Sequence, residues 1–457
     1  MLLPMTKPTM RELVRGFSNL LAYRNDRLAM LQRLGRECGD IGVYRFGPWA
    51  GVMVNAADYV RAVLVEHADA FQKLPSMAFL RPLLGNGLLL SEGDFWRRQR
   101  KLIAPAFQHR RVATYADMIA SYAEQAQQGW ADGATIDMAH EMMRLTLRVV
   151  GKALFNAEVL SEADEVGAAL TIALQYVDQQ TSTLFPTPLH WPTPANWRNR
   201  AAIARLDATI HRIIRERRAA LRHPSAEGQP ERSSDLLAML LLAQDEDGSA
   251  MTDAQVRDEA MTLFLAGHET TANALAWAWY LLAQHPHLYA RLRAELEQVL
   301  AGRTPTFADL PNLPYTLQVL KEAMRLYPPA YLFGRYAVRA VDLEGYRLPA
   351  GTWVIISPYA LQRRSDYFPD PERFDPDRFA PEAEQRIPRY AYIPFGGGPR
   401  ICIGNHFALM EGQLILATLG QRVTFELAER RRVEPKPLIT LRPRGGIRMR
   451  VRRSAGG

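Results

Sequence analysis

The stretch FGGGPRICIG, from Phe395 to Gly404, sets Cys402, one of the chain's two cysteines, among glycines and beside Arg400. Glycine loses more backbone freedom on folding than any other residue, so such a run suits a place where bare backbone must come close to something. The residues from Gly404 to Leu419, GNHFALMEGQLILATL, read as a helix with Phe407, Met410, Leu414 and Ala417 facing inward. A cysteine at a helix N-terminus sits at the positive end of the dipole and is favoured as thiolate. The glycines before it let backbone N–H groups approach the sulfur. Such a thiolate is a nucleophile or a metal ligand. The near candidate for a general base, His406, falls in a solvated position. Cys38 stands alone and no histidine pair has ligand spacing, so a four-ligand zinc site is excluded. One thiolate axial to a haem remains, with Arg400 placed to hold a propionate.

Around this loop, 457 residues allow about three average domains, though large single domains also reach this size. Apolar residues make up 48% and charged residues 23%, a globular balance with room for a sizeable core. The formal charge is +8, but 48 acids interleave with 56 bases. That argues against a nucleic-acid binder and for a local basic face toward an acidic partner. Two cysteines offer no disulfide framework and suit a reducing, cytoplasmic setting. The N-terminus, MLLPMTKPTMRELVRGFSNL, has no apolar run near the roughly 20 residues a transmembrane segment needs. It lacks a signal-peptide pattern as well, so the expectation is a soluble, unanchored protein.

Alternation in DIGVYRFGPWAGVMVN (40–55) predicts a hairpin turning at Gly47 and Pro48. Helical periodicity dominates from Ala57 to about Leu300, broken at 184–197 (LFPTPLHWPTPANW) and at 223–235, a polar loop. DEDG (245–248) faintly suggests a calcium loop, but Val256 stands where the bidentate glutamate belongs, so it reads as a turn. Strand-like runs return between about 333 and 369.

A long helix opens with a capping box, Thr252 and Gln255, and stops at His285-Pro286. At about 30 residues it would run roughly 45 Å. Its middle, with Met261, Leu263 to Ala266 and Leu275 to Trp277, is apolar all round, as in a helix crossing a core. Inside it lies AGHETT (266–271), where Gly267, a carboxylate (Glu269) and two threonines interrupt the pattern. This is either a kink whose carboxylate finds a partner, or a widened turn with a proton relay facing a reaction site. On a second helix, LPNLPYTLQVLKEAMRLYPP, Glu322 and Arg325 share a face. The later PERFDPDRF offers Arg378 or Arg373 as a further arginine for that pair.

The pattern F-x-x-G-x-R-x-C-x-G, here Phe395, Gly398, Arg400, Cys402 and Gly404, resembles the haem-binding signature of the cytochrome P450 superfamily. AGHETT is similar to the family's oxygen-activation segment, EAMR to its E-x-x-R pair, and PDRF to the motif completing that triad, which selects Arg378 over Arg373. WRRQR is similar to its W-x-x-x-R, placing Trp96 and Arg100 near a propionate. The resemblance implies one P450 domain over 1–457, mainly α with a small β region. Haem b lies between the long helix and the cysteine-bearing helix, against Ala266, with Cys402 as iron ligand. Glu269 and Thr270 deliver protons to bound O2 during monooxygenation, and the presence of both favours oxygen and electrons over peroxide. Glu322, Arg325 and Arg378 are structural. Arg335, in FGRYA, is either a further propionate contact or a solvated strand arginine.

The sequence runs 55 residues past Cys402, so the expectation is a monomer without a fused reductase, with electrons from a ferredoxin or flavodoxin-type partner. Arg97, Arg98, Arg100, Lys101, Arg110 and Arg111 form a basic run suited to such a partner, or else a solvated helix face. The implied pocket draws on Phe79, Leu88, Leu89, Ala266, Ala330, Tyr331 and Leu332, each of which is otherwise ordinary core. That lining suits a fatty acid, terpenoid or steroid-like substrate. FLAGHETTA looks more like the fatty-acid-oxidising and eukaryote-like branches, and the 184–197 stretch reads as a lid rather than a membrane contact. The rival readings are a haem-thiolate isomerase or dehydratase and a non-catalytic haem sensor.

Overall fold

The computed structural model describes residues 9–183, 185–222, 235–243, 250–429 and 431–453. Leu184, the polar loop expected at 223–235 (except Asp235) and the acidic turn at 245–248 lie outside these residues. The longer helices are numbered here, with strands labelled where they are used.

The molecule is organised on one helix, Asp253–Gln284. Thr252 Oγ1 accepts from Gln255 N at 3.2 Å while Gln255 Oε1 accepts from Thr252 N at 2.8 Å, so the anticipated capping box forms. His285 caps the other end ahead of Pro286, whose ring cannot continue the helix. Trp277, Trp279 and Tyr280 on it are at most 1% exposed. Burying a large apolar side chain contributes about 1.5–3 kcal/mol, so this segment anchors the core. The helix runs through AGHETT without a widened turn. Gly267 instead allows close packing: a Cβ there would meet Val150 Cγ2 at 2.9 Å, and Thr146 Oγ1 donates to the His268 carbonyl at 2.9 Å.

Before it in the chain come α1 (Met10–Asn25), α2 (Arg27–Cys38), α3 (Gly93–Ile103), α4 (Met138–Phe155), α5 (Ala163–Thr181) and α6 (Pro194–Arg222), with α1 and α2 lying against the β region. The long helix is α7; beyond the 15-residue helix Pro286–Leu300, which is left unnumbered, come α8 (Pro314–Leu326) and α9 (Asn405–Arg422). α6 begins inside the proline-rich stretch expected to be a break, because Pro194 occupies a first-turn position where its missing N–H costs nothing. α4 packs along α7, and α8 and α9 pack on its C-terminal half around Leu275–Leu282.

The β region is small. β1 (Ile41–Phe46) and β2 (Trp49–Val54) form the expected antiparallel hairpin, with Gly47 at φ 58 in the turn. β3 (Phe71–Gln72), β4 (Phe333–Ala337) and β5 (Trp353–Ile356) complete a sheet ordered β1-β2-β5-β4-β3, in which only β2 and β5 are parallel. β6 (Pro435–Pro437) and β7 (Leu441–Pro443) pair as a separate ribbon whose second strand reaches α7. A fold that is 61% helix with these short sheets is the mainly α class expected.

Candidate active site

The cysteine loop closes through Cys402 N donating to Phe395 O at 3.0 Å, three residues before α9. Phe407, Met410, Leu414 and Ala417 are buried, as the helical pattern requires. Gly398 sits at φ 66, and a Cβ on it would overlap the Leu64 carbonyl oxygen, so the loop tolerates no side chain there. The N–H that reaches the sulfur comes from Gly404, after the cysteine, and not from the glycines before it. Cys402 as a residue keeps contact with solvent, yet its sulfur lies deep enough that desolvation raises its pKa, against the pull of the Gly404 N–H and Arg100. Burial thus works against the thiolate that the helix dipole and neighbouring N–H groups are expected to favour. A metal coordinated by this sulfur would complete the ionisation, since a coordinating thiol is deprotonated outright.

Beside this sulfur the structure gathers positive charge. Arg100 lies close enough to Cys402 to interact with it electrostatically, so it leaves the exposed docking face on which the sequence also put it. Arg400 stacks 3.9 Å over Trp96, donates to Ser91 O at 2.8 Å and pairs with Glu92. Arg335 is half-buried rather than solvated and donates to Gly334 O at 3.0 Å; burial and then Arg400 pull its pKa down to about 10. Burial and the neighbouring Arg335 and Arg400 bring Lys73 down to about 7. One carboxylate, Glu92, faces these cations. Crowded like charge of this kind calls for an anion, and a haem b with two propionates fits it.

On α7, Phe264 and Leu265 are buried while Ala266, expected to face the cofactor and the pocket, is open on that side. Thr270, one turn on, is half-buried and its Oγ1 donates to Ala266 O at 2.7 Å. Glu269 is 1% exposed and is held by Arg442, Nε to Oε1 at 2.9 Å and Nη2 to Oε2 at 2.8 Å, with the Thr440 hydroxyl also donating to it. Of the two readings of AGHETT, the carboxylate with a partner describes its ground state. The acid and the alcohol are thus adjacent in sequence but differently engaged.

Glu322 and Arg325 are both fully buried, bonded at 2.6 and 2.7 Å. Arg325 spends its remaining donors on the carbonyls of Gln362, Pro371 and Arg373. Arg378 Nε lies 3.5 Å from Glu322, whereas Arg373 turns outward to Asp375. Among the pocket candidates, Phe79, Leu88 and Leu89 join one apolar cluster with Leu263, Phe264 and Leu265. Ala330 is half-buried. Tyr331 is not pocket lining: it is 3% exposed, donates to Leu438 O at 2.6 Å and accepts from Arg27 at 2.8 Å. Leu332 packs with it against Tyr44 and Met53.

Sequence reasoning missed Lys73, Glu92, Thr440 and Arg442. It also missed Glu411, a buried carboxyl on α9 beside Thr271 that desolvation keeps well above the usual range. None carries a local pattern; spatial neighbours alone reveal them. Among the described residues no cluster of three or more His, Cys, Asp or Glu side chains could hold a metal, which leaves the single sulfur.

A lone cysteine before a helix, a cationic cradle and a threonine beside an exposed alanine on a long buried helix define a haem-thiolate protein. The chain belongs to the cytochrome P450 family, whose model matches residues 9–449. It is 40% identical over 415 residues to cyclooctatin synthase of Streptomyces melanosporofaciens, covering 90% of this chain and 88% of that one. It is 37% identical to cyclooctat-9-en-7-ol 5-monooxygenase of the same organism (88% and 84% covered), and 35% identical to pentalenene oxygenase of Streptomyces avermitilis (90% and 90%). It is a cytochrome P450 monooxygenase with haem b as cofactor, requiring O2, an organic substrate and a redox partner. Among the described residues no helix is long and apolar enough to cross a membrane.

Proposed function

We propose that this monooxygenase hydroxylates a terpenoid hydrocarbon or terpenoid alcohol, as one domain and one monomer in the cytoplasm, with electrons from a separate ferredoxin or flavodoxin. The observation that carries the substrate reading is the 37% and 35% identity, over most of each chain, to relatives named cyclooctat-9-en-7-ol 5-monooxygenase and pentalenene oxygenase. The uncharged cluster of Phe79, Leu88, Leu89 and Leu263–Leu265, next to Ala266, supports it by excluding water and offering no partner for a carboxylate.

In this reading Cys402 is the iron ligand. Arg100, Arg335 and Arg400, with Lys73, neutralise the propionates, and Trp96 supports Arg400 from its ring face. Phe395, Gly398 and Gly404 shape the loop. Haem held through a thiolate supplies dioxygen activation, because the sulfur's electron density favours O–O cleavage. Thr270 holds a proton at Oγ1 and, as a hydroxyl, can pass one on while accepting another. Glu269 resupplies it once its carboxylate exchanges Arg442 and Thr440 for a proton. Glu322, Arg325 and Arg378 fix the haem-side core.

Exposed Arg97, Lys101 and Arg110 suit an acidic electron donor, as does a depression of about 440 Å³ against Phe395–Gly398 that includes the exposed Arg389. The test is spectroscopic and chemical. The reduced protein with carbon monoxide is expected to give the far-red-shifted Soret band of thiolate ligation, absent in Cys402→Ala. A panel of terpenoids, fatty acids and steroids is then scored by spin-state shift and by hydroxylated product under O2 with a ferredoxin and its reductase. Shifts and products confined to fatty acids or steroids would overturn the substrate reading.

A further inference from the structure

The loop between the short helical turn Arg81–Leu84 and α3 carries two of the expected pocket residues, Leu88 and Leu89. Leu88, Leu90 and Ser91 are buried, whereas Leu89 among them is half-buried. Leu89 therefore resembles Ala266 and Thr270 in having an open side within a closed neighbourhood, and it packs against the cluster that holds Leu263–Leu265.

Two adjacent carboxylates of α7 hold this loop by its backbone. Asp258 Oδ2 accepts from Asn86 N at 2.8 Å, and Glu259 Oε2 accepts from Leu88 N at 2.9 Å. The loop passes so close to α7 that a Cβ on Gly85 would overlap the Asp258 carboxylate, and one on Gly87 would overlap the Thr262 hydroxyl. Gly85 also stands at φ 58, a conformation that side chains disfavour. Past Leu89 the loop is held again, where Ser91 O accepts from Arg400 Nη1 at 2.8 Å. Leu89 sits between a fastening to α7 and a fastening to the cysteine loop.

The two carboxylates are supported differently. Arg257 Nη1 donates to Asp258 Oδ1 at 3.0 Å, and its Nε donates to Asp207 of α6 at 2.8 Å, so Asp258 is fixed from a third element. Glu259 is 1% exposed, and its Oε1 has no hydrogen-bond partner among the described residues. A carboxyl buried with a single bond does little for stability, because desolvation offsets the hydrogen bond. What the bond to Leu88 N does is fix the backbone one residue before Leu89, and with it the direction in which that side chain leaves the loop.

We propose that Asp258 and Glu259 are positioning residues that aim Leu89 into the space in front of Ala266, and that through Leu89 they set the size and shape of the ligand admitted there. The inference rests on a haem lying beside Ala266 and is independent of the terpenoid reading.

The test uses ligands whose nitrogen binds haem iron directly, so no substrate need be known: imidazole, too small to reach the loop, and the bulkier 1-phenylimidazole and 1-(biphenyl-4-yl)imidazole. Dissociation constants are read from the Soret shift of the haem-loaded full chain, and retention of the carbon monoxide spectrum shows that each variant is folded. In Glu259→Leu and in Asp258→Ala the ratio of the biphenyl ligand's constant to that of imidazole is expected to move by about tenfold, with imidazole itself unchanged. Glu259→Gln, whose amide oxygen still accepts from Leu88 N, is expected to keep the parent ratio. Leu89→Ala removes the side chain being aimed, so adding Glu259→Leu to it should change the ratio no further. A parent ratio in both Glu259→Leu and Asp258→Ala overturns the proposal. So does a full additional change from Glu259→Leu in the Leu89→Ala background, or equal weakening of all three ligands, which would assign the carboxylates to the general integrity of the haem site. A chain that takes up no haem fails the carbon monoxide test first, and that failure belongs to the haem-thiolate reading.

Discussion

Arg442 clasps Glu269 through hydrogen bonds of 2.9 and 2.8 Å, and its remaining Nη1 donates to Thr171 of α5 at 2.8 Å. One guanidinium thereby joins the long helix α7, strand β7 and helix α5. The carboxylate next to Thr270 is anchored by residues on two other elements, so its availability as an acid depends on how those elements sit.

Removing the guanidinium tests this. Arg442→Met leaves a buried carboxylate without its ion partner, and breaking such a pair costs about 3–5 kcal/mol unless the group protonates. The expected result is a lowered denaturant midpoint together with a changed pH profile of product formed per electron consumed. A midpoint and a profile both matching the parent would show that Glu269 does not depend on Arg442.

Arg325 makes a harsher demand. Its donors serve Glu322 and the carbonyls of Gln362, Pro371 and Arg373, with no exposure to water. Lysine cannot reproduce the planar fork, so Arg325→Lys should lose on the order of 3 kcal/mol of stability and retain less haem after purification. Normal haem content with an unshifted unfolding curve would contradict the structural role.

Glu259 supplies a pH dependence. It is 1% exposed, and burial raises its carboxyl to about 7, against the Leu88 N–H it accepts at 2.9 Å and with Asp258 adding to the rise. Between its ordinary value of 4.5 and about 7 the folded state keeps a proton that the unfolded chain has released. Stability contributed by this group is therefore present below the lower value and declines as pH rises through the upper one. Glu259→Gln keeps an acceptor for Leu88 and cannot ionise, so it should stabilise by on the order of 2 kcal/mol near pH 8 and little near pH 5. Calorimetry at both pH values decides, and an equal shift at the two would be inconsistent with titration of this residue.

Electron delivery should weaken with salt. Arg97, Lys101 and Arg110 are exposed, and attraction between exposed charges is screened beyond about 8 Å at physiological ionic strength. Stopped-flow reduction by an acidic ferredoxin is expected to slow several-fold between low and moderate salt. A rate indifferent to ionic strength would remove the basic docking face from the account.

Much of this was legible along the chain because it is local. The capping box at Thr252, the stop at His285-Pro286, the hairpin turn at Gly47 and the helix after Cys402 each depend on neighbours within a few residues. The cysteine loop and the Glu322/Arg325 spacing were visible for the same reason, and they carried the family resemblance. Exposure and partnership were not legible. Tyr331 looks like pocket lining but is tied to Leu438 and Arg27.

The order of residues thus determined the elements, the class of fold and the sulfur that defines the chemistry, since backbone propensity and short-range spacing act within a turn or two. Tertiary structure decided which charges meet and which backbone groups they hold. Arg442 lies 173 positions from Glu269, Lys73 and Arg335 come together only across the β3–β4 pairing, and Asp258 and Glu259 meet loop N–H groups 172 and 171 positions before them. Such outcomes depend on the packing of whole elements against one another, which no local pattern encodes.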